Sequence, residues 1–170
     1  MKLSLEPITQ WGFELARKWR NDVLGTLRTP FPLTVEQQEA FYQSLQNRDS
    51  PNRYWVVGSE YSGCVGLVGL TNIEWYNGCA EISLIISPNE RGKGIGKETV
   101  RLVLEQAFMY MRLHQVYGEV YFSNPGIDFW RRVVDNYGGY STVLPDRKWW
   151  DGKYWKSLYF SILADHFPKS

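Results

Sequence analysis

Cysteine and histidine are scarce, two of each among 170 residues. Cys64 and Cys79 show neither CxxC nor Cys/His spacing, so no disulfide framework and no metal site is expected. His114 and His166 stand apart from each other and make no metal cluster. An excess of one charge is also missing. Lys plus Arg number 19 against 18 Asp plus Glu, and the resulting +1 supplies no general field for nucleic acid or an anionic membrane. Long apolar runs are absent too: the start, MKLSLEPITQ, has no apolar h-region, and no later stretch approaches bilayer length. The expectation is a soluble, cytoplasmic chain with no nucleic acid and no membrane among its partners. No repeat or low-complexity linker breaks the sequence, so one domain over residues 1–170 is expected.

What is present is aromatic and well punctuated. KLSLEPI reads as a short strand, and TQWGFELARKWRNDV places Trp11, Leu15 and Trp19 at four-residue spacing on one helical face. Thr34 and Gln37 have the spacing of a capping box before a second helix. RYWVVGSE, GCVGLVGLTNIEW and CAEISLII read as an antiparallel meander, with Asn77 and Gly78 in its second turn and Cys79 opposite roughly Ile73. Val100, Val103, Leu104, Ala107, Phe108 and Met111 then recur at helical spacing. QVYGEVYFS is another strand, Asn124 and Pro125 look like an N-cap and a first helical position, and GIDFWRRVVDNY ends at Gly138 and Gly139. YSTVL and YWKSLYFSIL close the chain around Asp151 and Gly152. The order β α α β β β α β α β β predicts a mixed α/β (α+β) fold with a partly antiparallel, partly parallel sheet covered by helices.

One stretch carries chemistry. SPNERGKGIGKET, Ser87 to Thr99, sets Gly92, Gly94 and Gly96 among Arg91, Lys93 and Lys97, between a strand and a long helix. Glycine lets the backbone approach a ligand with its N–H groups free, and cations beside it point to an anion. A Walker loop fails, because Glu98 follows Lys97 and Arg91 replaces the first glycine. A dinucleotide fingerprint fails as well, since G-x-G-x-G is not G-x-G-x-x-G and no acid lies near Met111 or Arg112.

The pattern [RQ]-x-x-G-x-[GA], met by Arg91, Gly94 and Gly96, resembles the coenzyme A loop of the GNAT superfamily of N-acetyltransferases. WRND (Trp19–Asp22) and WWDGKYW resemble the branch with ribosomal-protein N-terminal, spermidine and nucleotide-sugar amine acetyltransferases. The resemblance covers nearly the whole chain in element order and implies the GNAT acyl-CoA N-acyltransferase fold, with acetyl-CoA as co-substrate and no metal. It implies an acetyl-CoA-dependent transfer to a primary amine by direct attack through a tetrahedral intermediate. The acceptor would be a small molecule, such as an amino sugar or polyamine, or a protein N-terminus, and the protein a monomer or homodimer. The alternative is a non-catalytic acyl-CoA binding or sensing module.

By the same resemblance, Arg91, Gly92, Lys93, Gly94, Ile95, Gly96 and Lys97 hold the pyrophosphate, and Asn124 touches the pantetheine arm. Leu84, Ile85 and Ile86 border a splay that admits the thioester, with an oxyanion donor among the backbone N–H groups near Leu84 and Ile85. Glu81 is the implied base; a strand-end charge paired with a neighbouring strand is its structural alternative. Alternation puts Glu81, Ser83 and Ile85 on one face and Ile82, Leu84 and Ile86 on the other. Acceptor contacts fall to Trp19, Arg20, Asn21, Phe31 and Trp150, although core packing is the usual fate of large aromatics. The family pattern is broken at one point: Phe129 and Trp130 occupy the place of a tyrosine that protonates the coenzyme sulfur, leaving Tyr121, Tyr137 or water. A β-branched residue at Gly94 is expected to cost coenzyme affinity far more than stability.

Overall fold

Branched and aromatic side chains pack well on a pleated surface, and the runs that contain them become strands. The computed structural model describes residues 2–168. Its strands are β1 (Leu3–Glu6), β2 (Arg53–Ser59), β3 (Gly63–Glu74), β4 (Cys79–Ile86), β5 (Gln115–Tyr121), β6 (Tyr140–Trp150) and β7 (Lys153–Leu163). Its helices are α1 (Gln10–Asn21), α2 (Val35–Ser44), α3 (Ile95–Glu105) and α4 (Ile127–Asn136). The strands form one sheet in the order β1-β2-β3-β4-β5-β7-β6. β4 and β5 are parallel, and every other neighbouring pair is antiparallel. The element order is the one the sequence predicts, and no helix among the described residues is long and apolar enough to cross a membrane.

Because side chains alternate along a strand, the central strands feed two cores. Val57, Val68 and Ile82 join Val100, Val103 and Leu104 of α3 and Val133 and Val134 of α4 on one face. Val56 and Leu67 join Phe13 and Ala16 of α1 on the other, where Phe41 and Tyr42 of α2 pack against them. β4 serves both: Leu84 and Ile86 lean on the first core and Ile85 on the second. The capping box at Thr34 and Gln37 forms as expected and starts α2. The α3 pattern is buried from Val100 through Phe108, and the helix widens into a π turn over Gln106–Tyr110 before it stops.

Four details differ from expectation. The α1 core face is Gly12, Phe13 and Ala16, while Trp11 stands exposed; Gly12 lets the helix approach Val56 closer than any side chain would allow. Cys79 pairs with Glu74 instead of Ile73, because a bulge with Asn72 at φ 50° shifts the register between Thr71 and Glu74. Asn124 is not the N-cap of α4, which is Gly126; the Asn124 side-chain oxygen instead accepts from the Gly126 N–H at 2.8 Å, two residues on. The strand begun by YSTVL continues to Trp150 across a second bulge between Leu144 and Lys148, where Asp146 takes a φ of 51°.

Candidate active site

The parallel pair at the centre of the sheet comes apart. β4 and β5 are paired only at Cys79–Gln115, Ala80–Val116 and Glu81–Tyr117, so Ile82–Ile86 run on without a partner on that side. The Ser87 N–H donates to the Val65 carbonyl of β3 at 2.9 Å. Backbone groups alternate sides along a strand, so the amides of Leu84 and Ile86 face the gap and that of Ile85 faces β3. Of the two residues expected to border an oxyanion donor, Leu84 therefore has the available N–H.

At the end of that gap the chain turns into the glycine loop. Gly92 and Gly94 have φ of 77° and 82°, and a Cβ built on either meets no atom within 4 Å. Their conformation, not crowding, demands glycine. Among the described residues, no backbone N–H from Arg91 to Lys97 has a protein acceptor; the first helical bond recorded is Glu98 N–H to the Gly94 carbonyl. A row of unsatisfied donors at the N-terminus of a helix as long as α3 is a site for an anion. Ile95 is buried and offers its amide alone. Arg91 folds back, its Nε donating to the Ile86 carbonyl at 3.2 Å, and Lys93 pairs with Glu90 at 3.1 Å. Gly96 packs on the Phe129 ring, and Trp130 stacks on Phe160, so these two aromatics serve the core behind the loop. Of the substitute hydroxyls, Tyr137 is buried against Phe167, and Tyr121 is buried on β5 below the Lys148 ammonium.

On the α1/α2 side of β4 the polar groups are side chains, and most are already paired. Glu81, 14% exposed, receives Arg28 at 2.5 Å and the Asn72 side-chain amide at 3.1 Å. The β3 bulge turns Asn72 toward it. Glu119, 6% exposed, receives Arg147 at 2.8 Å and the Ser157 hydroxyl at 2.6 Å, with Arg28 at 3.8 Å. Burial alone raises a carboxyl pKa, yet Arg147, Ser157 and then Arg28 hold that of Glu119 below its ordinary value. Bonding to Glu81 raises the Arg28 pKa against the opposing effect of burial. Lys148 donates to the Leu27 carbonyl, and burial lowers its pKa. The loop between α1 and α2 is thus held at Leu27 by Lys148, at Gly25 by the Ser123 hydroxyl, and at Arg28 by Glu81.

A cavity of about 320 Å³ lies under this loop, lined by Arg20 of α1, Gln38 of α2, Tyr54 of β2, and Ser83, Leu84 and Ile85 of β4. Of the five residues assigned to the acceptor, only Arg20 lines it. Asn21 exchanges hydrogen bonds with the Leu33 backbone, Trp19 packs against the α1/α2 core, and Phe31 is 70% exposed. Trp150 lies over Gly25. Arg28, Glu119, Arg147 and Lys148 were not singled out by the sequence, since no motif surrounds them. The Pro145-Asp146 pair, a turn signal inside an apparent strand, marks the bulge preceding Arg147 and Lys148.

The acetyltransferase (GNAT) domain family matches residues 2–128. The spermidine N(1)-acetyltransferase of Vibrio cholerae serotype O1 is 28% identical over 106 residues, 62% of this chain and 60% of that protein. The match thus spans less than two thirds of that relative. A crystal structure of spermidine N-acetyltransferase from Vibrio cholerae, in complex with CoA and spermine, superposes with a TM-score of 0.86 at 22% identity, covering 97% of each chain. A crystal structure of the spermidine/spermine N-acetyltransferase from the same organism with manganese ions gives 0.79 at 22%, covering 96% of this chain and 94% of the other. Likeness at that identity shows the fold. Among the described residues no group of three or more His, Cys, Asp or Glu side chains is placed to hold a metal.

Proposed function

The chain belongs to the acetyltransferase (GNAT) family and has its fold, and from that premise we propose that it is an acetyl-CoA-dependent N-acetyltransferase acting on a primary amine. The observation that carries this reading is the run of free amides from Arg91 to Lys97, opening beside the gap between β4 and β5. The fit is geometric: open space over Gly92 and Gly94 lets a diphosphate reach those donors, with the cations of Arg91, Lys93 and Lys97 nearby. Asn124, beyond the end of β5, is the side-chain contact for the pantetheine arm.

Bound acetyl-CoA supplies a thioester carbonyl for an amine to attack, the C–N bond forming first and the C–S bond then breaking to release the coenzyme thiolate. Leu84 presents its N–H to the carbonyl oxygen on which negative charge develops. Glu81 takes a proton from the acceptor's ammonium, directly or through water, once Arg28 has moved off its carboxylate, and the amine so freed attacks. Protonation of the departing thiolate falls to water or to Tyr121. Two free thiols, Cys64 and Cys79, fit a reducing cytoplasm. The name of the relative supports polyamines among the acceptors to be tried, beside amino sugars and protein N-termini.

The test is thiol release from acetyl-CoA with a panel of primary amines, run beside calorimetry with coenzyme A and ATP. Amine-dependent release, with binding that requires the pantetheine arm, is expected. Binding of ATP as tight as that of coenzyme A would overturn the reading. Tight coenzyme binding without release for any amine favours the second reading, a module that senses acyl-CoA. That reading draws on Phe129 and Trp130 standing where the family carries a hydroxyl.

A further inference from the structure

Arg20 is anomalous. It lies in the middle of the α1/α2 side and lines the 320 Å³ cavity, and its Nε is buried with no acceptor among the described residues. The other arginines of the site are spoken for, Arg28 by Glu81 and Arg147 by Glu119. Among the described residues no carboxylate acts on Arg20, and the ionisable side chain that does is the Tyr54 hydroxyl. Burial raises the Tyr54 pKa, so that hydroxyl stays neutral and offers no countercharge. A guanidinium Nε withdrawn from water without an acceptor is costly, and a fork of five donors suits a carboxylate or phosphate.

The rest of the lining agrees. No Asp or Glu borders the cavity, whereas Leu27, Leu33, Phe41 and Leu67 give it apolar walls. Its floor is Ser83, Leu84 and Ile85, the stretch of β4 that has just parted from β5, so a molecule in the cavity abuts the place where the acyl group would be presented. A polycation there would face Arg20, and Glu81, the carboxylate on the same face of β4, is already neutralised by Arg28. We propose that the acceptor is a small amine that also carries an anionic group, a carboxylate or a phosphate, bound by Arg20, with an apolar body against the leucine and phenylalanine walls. This rests on the acetyltransferase reading and narrows its acceptor class away from free polyamines.

The experiment measures product-side binding, which does not depend on turnover. Calorimetry on the full chain saturated with coenzyme A compares N-acetylleucine, its phosphonate analogue, N-acetylleucinamide and N1-acetylspermidine. Wild type is expected to prefer the better anion over the amide by about tenfold or more, the scale of one charge-assisted hydrogen-bonded pair. Whether carboxylate or phosphonate binds more tightly identifies the anion. Arg20→Met should abolish the preference, Arg20→Lys should restore part of it, and neither should change coenzyme affinity. Arg20→Met should also leave the thermal midpoint unchanged or higher, because an arginine with a structural partner would be missed and this one has none. Equal binding of acid and amide overturns the inference, as does a preference that survives in Arg20→Met or tightest binding of N1-acetylspermidine. Thiol release with leucine, leucinamide and spermidine is read separately. Turnover of spermidine alone keeps the enzyme and discards this acceptor, whereas Arg20-dependent binding without thiol release keeps the anion site and discards the enzyme.

Discussion

The two sides of β4 are built from different materials. Toward α3 the site is backbone: free amides, two glycines at positive φ and a strand edge whose partner has left. Toward α1 and α2 it is side chain: two carboxylates held by two arginines, a buried lysine on a carbonyl, and Arg20 alone in a cavity. Backbone donors are fixed by local conformation and work for any partner of the right shape, so the amide side is nearly indifferent to side-chain identity. The side-chain half depends on residues far apart in sequence meeting correctly.

If the halves are separable, substitutions on one should leave the other alone. The largest effect is expected at Glu81→Gln, which should lower kcat by about 10²-fold or more, the scale of a lost general base, with partial recovery at higher pH where free amine is abundant. The coenzyme Kd should not change; stopped-flow turnover and calorimetry on the same preparation check both. Gly94→Val should do the reverse. Two weakened amide contacts to a diphosphate correspond to about a hundredfold in coenzyme Kd. A φ of 82° adds a stability cost of about 1 to 2 kcal/mol for a residue with a Cβ, so fold and affinity suffer together. This corrects the expectation that the fold would be spared: the space around Gly94 is open, but its backbone conformation is not one that valine tolerates.

Smaller effects sharpen the side-chain half. The pKa of Glu119 is depressed in the folded protein, so between that value and the ordinary glutamate value near 4.3 the unfolded chain binds the proton and the folded chain does not. Its contribution is therefore complete above the ordinary value and is lost as the pH falls through the depressed one. Denaturant midpoints from neutral pH into this acid range should decline for wild type and decline less for Glu119→Gln. A parallel decline would remove Glu119 from the network that ties β6 to β5 across β7. The smallest effect belongs to Thr34→Ala, which removes the capping box of α2 and should cost about 1 kcal/mol by chemical denaturation with no change in coenzyme Kd.

Legibility followed the same division. The glycine loop, the α3 stripe from Val100 to Phe108 and the meander from Arg53 to Ile86 can be read because each is set by neighbours within a few residues. Trp11 and Phe31 mislead, since an aromatic signals burial or binding only when something stands opposite it, and nothing does. Glu119 and Arg147, 28 residues apart, become a pair only because β5 lies beside β7, and β7 beside a bulged β6. Arg28 reaches Glu81 across 53 residues.

Glycine placement, strand alternation and helical period, all local properties of the chain, fix where the sheet and the glycine turn lie. Sequence alone thus determined the fold class and the position of the glycine turn. Only the packed structure decided which charges cancel and which one is left over. Charge pairing depends on distances between distant segments, and from it come the held Glu81, the shielded Glu119 and the unpartnered Arg20.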